Sequence, residues 1–259
     1  MTFRFASLGS GSKGNGTVVQ WQGDEGQPVA LLVDCGFSAR ETVMRLERLG
    51  LKASDLAAVL VTHEHGDHIK GVAPLARRFK LPVYMTPGTF HSKDLGVLPE
   101  LNLIEGYQGF SISGLKIQPV AVPHDAREPC QFIFELGLRR LGILTDLGSV
   151  SNHVEDSFRS CDALLMEANH DPMMLACGAY PPSLKRRVGG PWGHLSNQQT
   201  AAFLQRADLP RLQHLVVAHM SLQNNSLALA QQVLGDVAAA IKKVTWACQD
   251  DGFDWLDIA

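Results

Sequence analysis

Seven consecutive residues, Thr62-His63-Glu64-His65-Gly66-Asp67-His68, place three imidazoles and the Asp67 carboxylate directly after an apolar run over 56–61. Neutral imidazole nitrogen and carboxylate oxygen suit zinc, manganese or iron. Alternate residues of an extended segment share a side, so His63 and His65 point together. Asp67 and His68 open a helix expected over 67–80 and address a neighbouring position. One turn can therefore feed two adjacent divalent metal ions, with Zn, Mn and Fe equally compatible.

The elements that must hold such a turn follow from hydrophobic periodicity. Strands are expected at 3–8, 16–21, 29–34 and 56–62, with a helix at 39–50. A short strand at 82–85 is followed by strands at 110–113, 115–122, 131–137 and 140–145. Later come a strand at 162–167, a helix at 196–206, a strand at 213–218, a helix at 226–241, and short strands at 243–247 and 253–257. Hairpins mixed with βα units predict an α/β protein whose sheets are covered by helices. Six apolar runs end in polar residues of ligand or acid–base type: Asp34, His63, Pro123-His124, Asp146, Glu167 and His219. Chemistry in open α/β folds gathers beyond the carboxyl ends of strands. Six such endings predict one shared site.

Bulk properties narrow the setting. The chain has 259 residues, 45% of them hydrophobic, and a net charge of −3. That suits a single domain over 1–259 and argues against a general nucleic-acid coat protein. A nuclease remains open, since it needs only a local basic patch, and bound divalent ions add positive charge. No apolar run is long enough for a membrane span, and residues 1–7 lack the stretch of a secretory signal. Five scattered cysteines without a CxxC pattern read as buried thiols in a reducing cytoplasm.

Thr62–His68, followed by single His, Asp and His residues at strand ends, resembles the metallo-β-lactamase fold family over essentially the whole chain. The resemblance implies an αββα sandwich with a two-metal site at one edge. It implies that His63, His65 and His124 hold one ion, that Asp67, His68 and His219 hold the other, and that Asp146 bridges them. Two ions about 3.5–4 Å apart can position a nucleophile for in-line attack and stabilise the leaving oxygen. Asp34 reads as structural, bonded to a ligand histidine from behind.

Two departures bear on the substrate. Thioesterases of the glyoxalase II type carry their third metal histidine in Thr-Pro-Gly-His; here it lies in Val122-Pro123-His124-Asp125. True β-lactamases place a Cys where this chain has Asp146. Both favour phosphodiesterases; the alternative is a small-molecule hydrolase of the same fold, a cyclic phosphodiesterase or thioesterase. Lys185-Arg186-Arg187 reads either as a solvated helix face or as a grip on a phosphate backbone. Ser196 with Gln199 is a capping-box signature, and it sets a helix start beside His194. In its Gly-His-Leu-Ser setting, His194 resembles the non-ligand catalytic histidine of tRNase Z and related nucleases, which protonates the leaving oxygen. Glu167 would tune it, and Asp67 counts with both as catalytic. His170 and Asp171 read equally as pocket lining or as a cap on the next helix. In the loop over 9–16, Lys13 and Asn15 read either as substrate contacts or as part of a plain tight turn; the spacing is not that of a P-loop.

Spacing sets two nuclease groups aside. The segment from His124 to Asp146 leaves no room for the long arm of tRNase Z. The segment from Asp146 to His219 is too short for a full β-CASP domain. Ser7–Asn15, Asp34-Cys35-Gly36, Glu167–Asp171, Gly193–Asn197, and Ala218–Ser221 followed by Asn224-Asn225 are most similar to the YycJ-like bacterial exonucleases. That resemblance implies a 5′-to-3′ DNA exonuclease serving DNA repair.

Overall fold

The computed structural model describes residues 2–259. Its first sheet contains β1 (Phe3–Gly9), β2 (Gly16–Gln22), β3 (Pro28–Val33), β4 (Leu56–Leu60), β5 (Pro82–Met85) and β6 (Glu100–Leu103). The second contains β7 (Phe110–Ile112), β8 (Leu115–Ala121), β9 (Cys130–Leu136), β10 (Arg139–Leu144), β11 (Ala163–Glu167), β12 (His214–Ala218) and β13 (Lys243–Trp246). The last strand, β14 (Phe253–Asp257), returns to the first sheet beside β1. The orders are β14-β1-β2-β3-β4-β5-β6 and β13-β12-β11-β10-β9-β8-β7. Pairing is antiparallel over β14 to β3 and over β7 to β10, then parallel from β3 to β6 and from β10 to β13.

Strand alternation builds three apolar layers. Val29, Leu31 and Val33 of β3 face inward with Phe132, Phe134 and Leu165 in the core between the sheets. Ala30 and Leu32 face the opposite way, beneath α1 (Ala39–Arg48). On the second sheet, Leu164 and Met166 face the layer that includes Phe158, Phe203 and Leu234 from covering helices. Burial on both faces explains why these strands read as unbroken apolar runs rather than alternating ones. The result is the expected αββα sandwich. No helix of the described residues is long and apolar enough to cross a membrane.

The sequence expectation fails where the motif leaves β4. The helix expected over 67–80 is split into α2 (Gly66–Ile69) and α3 (Val72–Phe79). Gly71 lies between them, donating its N–H to Cys35 O at 2.7 Å. A Cβ on Gly71 would stand 2.1 Å from Phe37 O. The close approach of residues 35–37 breaks the helix and seats α2 as a separate turn carrying Asp67 and His68. The sequence pattern sets no bounds for four short helices: α4 (Pro87–His91), α5 (Asn152–Phe158), α6 (Pro172–Cys177), which Asp171 caps, and α7 (Pro182–Val188), which carries Lys185–Arg187. Each is too short to show helical periodicity. α8 (Asn197–Leu204) begins at Ser196 with the expected capping box, and α9 (Leu227–Ala238) begins after Ser226.

Candidate active site

The polar residues at the strand ends converge. After β4 come His63 and His65; α2 supplies Asp67 and His68; β8 leads to His124; β10 leads to Asp146; β11 ends on Glu167; β12 leads to His219. Asp34, Asp146 and His219 all take left-handed backbone, with φ of 61°, 48° and 51°. Non-glycine residues rarely adopt that conformation, and where they do it is commonly at functional sites. Here each bend turns a side chain off its strand and toward the cluster.

Hydrogen bonds on the outer side of the rings assign the tautomers. His68 Nδ1 donates to Asp34 Oδ2 at 2.8 Å. Thr62 Oγ1 donates to the same oxygen at 2.9 Å, accepts from His63 Nδ1 at 2.9 Å, and Thr62 N donates to Asp34 Oδ1 at 2.8 Å. His124 Nδ1 donates to Gly193 O at 3.0 Å. These contacts turn the Nε2 atoms of His63, His68 and His124 inward. His65 Nδ1 then lies 3.0 Å from His63 Nε2 and 3.2 Å from His124 Nε2.

The inward atoms form overlapping triads, each with its ligand atoms within 4.8 Å of one another: His63–His65–His124, His63–His68–Asp146 and Asp67–His68–His219. Asp146 Oδ2 and His219 Nε2 are buried without a hydrogen-bond partner. Asp146 Oδ2 nevertheless stands 3.2 Å from His68 Nε2. Imidazole nitrogens and carboxylate oxygens crowded at this spacing, buried from water, form a site suited to cations. The nitrogen and oxygen donors fit borderline-to-hard divalent ions, as the expected ligand set requires.

The electrostatics divide the cluster. Burial holds His63 well below the ordinary imidazole pKa and lowers His124 to about 4. Burial also opposes charge on His68 and His219, but Asp146, with Asp34 for the former and Asp67 for the latter, outweighs it. His68 is raised well above its usual value and His219 to about 9. Burial disfavours the Asp146 carboxylate, yet His219 and His68 hold its pKa well below the normal range. Burial and the neighbouring Asp146 push Glu167 well above the usual carboxylate range.

His194 stands beside these residues. Its Nδ1 bonds Glu167 Oε2 at 3.0 Å, and its ring stacks on His219 with centroids 5.3 Å apart. Leu147 N donates to the other Glu167 oxygen at 2.7 Å, and Thr200 Oγ1 fixes the Glu167 carbonyl at 2.7 Å. Burial lowers His194 to about 4. A Cβ on Gly193 would lie 2.1 Å from Arg187 O, so only glycine lets this segment close against α7 and present His194. Asp67, Asp146, His194 and His219 line a cavity of about 320 Å³ with Ser12, Asp125, Tyr180 and Arg187.

The residues expected to contact substrate lie in different places around the site. Asn15 is buried against the motif turn and outside the cavity lining, its Nδ2 3.3 Å from Asp67 O and 3.1 Å from His68 Nε2. Lys13 is exposed and outside the lining of that cavity, its backbone N–H bound to Gln249 Oε1. Lys185, Arg186 and Arg187 do not form one patch. Arg187 faces the cavity and pairs with Asp125, whereas Lys185 and Arg186 lie on another side of α7. Asp171 is a helix cap, accepting from Met173 N and Met174 N at 2.9 and 2.8 Å. Asp34 occupies the supporting position expected of it.

Sequence reasoning passed over Thr62, which links Asp34 to His63, and Asp125, whose signal was its place directly after His124. It also passed over Asn169, whose Nδ2 donates to His219 O at 2.9 Å and thereby holds the left-handed bend.

Comparison with known proteins gives a consistent result. Residues 30–220 match the family model for a β-lactamase superfamily domain. The exodeoxyribonuclease YycJ of Bacillus anthracis is 35% identical over 241 residues, spanning 92% of this chain and 89% of its own. The exodeoxyribonuclease WalJ of Streptococcus pneumoniae is 33% identical over 238 residues, spanning 90% and 87%. The metallo-β-lactamase fold protein YhfI of Bacillus subtilis superposes with a TM-score of 0.74 at 17% identity, over 99% of this chain and 100% of its own. The fold and the likeness to the YycJ-like group expected from the motifs are both borne out.

Proposed function

The chain belongs to the β-lactamase superfamily and is a metal-dependent hydrolase, and from this premise we propose that it is a two-metal phosphodiesterase degrading DNA from the 5′ end. One observation carries the choice of substrate: relatives named exodeoxyribonucleases align along nine-tenths of the chain. The lining of the cavity is consistent with it. Arg187 supplies a guanidinium at the mouth, with Asp125 as its resting partner. A phosphodiester entering there would compete with Asp125 for the guanidinium.

In this reading His63, His65 and His124 would hold one divalent ion, Asp67, His68 and His219 the second, with Asp146 available to both. Such ions, when bound, would activate water and offset negative charge on the phosphoryl and leaving oxygens. The chain's own residues do the rest. The Glu167–His194 pair holds one transferable proton along its 3.0 Å bond. With Nδ1 turned to Glu167, Nε2 is the ring nitrogen left for substrate. The Nε2 proton passes to the departing 3′ oxygen, and a proton moving from Glu167 Oε2 to Nδ1 restores the neutral ring. Glu167 is suited to lend it, because burial and Asp146 favour its protonated form. Asp67, on the cavity lining, would act both as ligand and as an acceptor that orients the attacking water. A cytoplasmic role in DNA repair belongs to the same reading.

Digestion of 5′- and 3′-labelled single-stranded and duplex DNA and of RNA, with manganese or zinc, tests the proposal. Stepwise loss from the 5′ end of DNA that vanishes in His65→Ala/Asp67→Ala supports it. Intact polymers alongside cleaved bis(nitrophenyl) phosphate or a cleaved thioester would assign a small-molecule hydrolase instead.

A further inference from the structure

Helix α7 separates two cavities. Leu184, Arg187 and Val188 face the catalytic cavity, and Lys185, Arg186 and Gly189 face a second of about 390 Å³. The second cavity is completed by His170, by Ser196 and Gln199 at the start of α8, and by Pro172, Leu175 and Ala176 of α6. Two cations, an imidazole, a hydroxyl and an amide meet there, and no carboxylate is among the lining residues. His170 is 3% exposed and its Nδ1 has no hydrogen-bond partner. A buried polar atom in that condition is costly unless something else bonds to it. Lys185 Nζ donates to Ala176 O at 2.6 Å, which fixes the ammonium on the cavity wall and leaves two of its protons free. Arg186 has no ion pair or hydrogen bond among the described residues. The apolar side from α6 can receive a sugar or base edge while the cations take the charge.

We propose that this second cavity binds a phosphate-bearing nucleotide of the substrate strand, next to the segment held at the catalytic centre on the opposite side of α7. The inference rests on the nucleic-acid reading above and extends it. Arg187 engages the strand at the reacting phosphate, and Lys185 and Arg186 engage it where it leaves over the helix. A substrate long enough to reach both sides is held at two points; a dinucleotide is held at one.

Anisotropy of labelled single-stranded DNA, from dinucleotide to octanucleotide, tests this in the manganese-loaded His194→Ala protein, where cleavage is suppressed. The octanucleotide should bind more tightly than the dinucleotide. Adding Lys185→Gln/Arg186→Gln should weaken the octanucleotide on the order of tenfold and flatten its salt dependence by about 1.4 in log–log slope, at roughly 0.7 per contact with a single strand. The dinucleotide should be little changed. Gly189→Gln, which fills the cavity without altering charge, should also weaken only the longer ligand. Lys242→Gln/Lys243→Gln, at the amino-terminal end of β13 away from the site, should leave both slopes as they were.

An octanucleotide bound equally well by Lys185→Gln/Arg186→Gln, or a dinucleotide weakened as much as the octanucleotide, would overturn the second subsite and leave the nuclease reading standing. An equal loss in Lys242→Gln/Lys243→Gln would overturn it as well, by reducing the effect to net charge. Failure of the parent protein to bind any of the oligonucleotides would instead remove the nucleic-acid reading, and the subsite with it.

Discussion

The two halves of the cluster use similar residues in opposite electrostatic settings. His63, His65 and His124 form an all-imidazole triad, with nitrogens 3.0 and 3.2 Å apart, in which burial depresses His63 and His124. Asp67, His68 and His219 form the other half, where the carboxylates of Asp146, Asp34 and Asp67 raise both imidazoles despite equal burial. At neutral pH His63 and His124 therefore stand ready with free lone pairs. The second half holds protons that an incoming cation must displace. The difference teaches that a ligand list does not describe such a site: the number of carboxylates in contact decides what each histidine carries before an ion arrives.

The most severe way to break the comparison is to remove the group common to both halves. Asp146→Ala should lower turnover by on the order of 10³-fold or more, given the several kcal/mol that a two-metal clamp supplies. Steady-state kinetics on labelled DNA would show it, and a loss under tenfold would count against a shared carboxylate. His194→Ala should come next, at about 10²–10⁴-fold in kcat with metal content unchanged, the range for a positioned acid. Glu167→Gln should cost less, because the ring remains in place while its proton source is gone.

Asp34→Asn bears unequally on the halves: it removes the direct acceptor of His68 Nδ1 and reaches His63 only through Thr62. It weakens the support behind His68, so metal affinity in the second half should fall about 10–100-fold, as for other such supporting groups. Isothermal titration with manganese would resolve one weakened and one retained binding step; two equal losses would contradict the division.

The pH dependence has a definite sign. In chelated protein, His219 has a folded pKa of about 9, against an ordinary value of 6.5. Its contribution to stability is complete below 6.5 and is lost as pH rises through 9. His170 behaves oppositely: burial lowers it to about 4, so stability falls as pH drops from 6.5 toward 4. Thermal unfolding across pH should show both shoulders, with His219→Gln reducing the alkaline one, which His68 shares, and His170→Gln reducing the acid one, which His63, His124 and His194 share. The smallest expected effect is Arg187→Gln, which should raise KM, leave kcat within a few-fold, and flatten the salt slope by roughly 0.7.

Legibility in the sequence followed the same division. His63, His65, Asp67 and His68 were readable because one turn carries them all. His124, Asp146 and His219 are single polar residues after apolar strands, and only their repetition at strand ends marked them. What escaped was set by contacts between distant segments. The break at Gly71 comes from residues 35–37 pressing on the helix. Asn15 lies beneath Asp67 because the loop over 9–16 packs against the motif turn. The split of Lys185 and Arg186 from Arg187 depends on a seven-residue helix whose two neighbouring cavities come from α6, α8 and the segments that follow β4, β8, β10, β11 and β12. No local pattern encodes that placement.

The central claim is that both halves must be filled before the chain cuts DNA. Manganese added stepwise to chelator-treated protein, with nucleotide release from 5′-labelled DNA followed at each addition, tests it most directly. The account predicts little activity through the first equivalent and a steep rise through the second. Full activity at one equivalent, with the second ion bound silently or not at all, would contradict it.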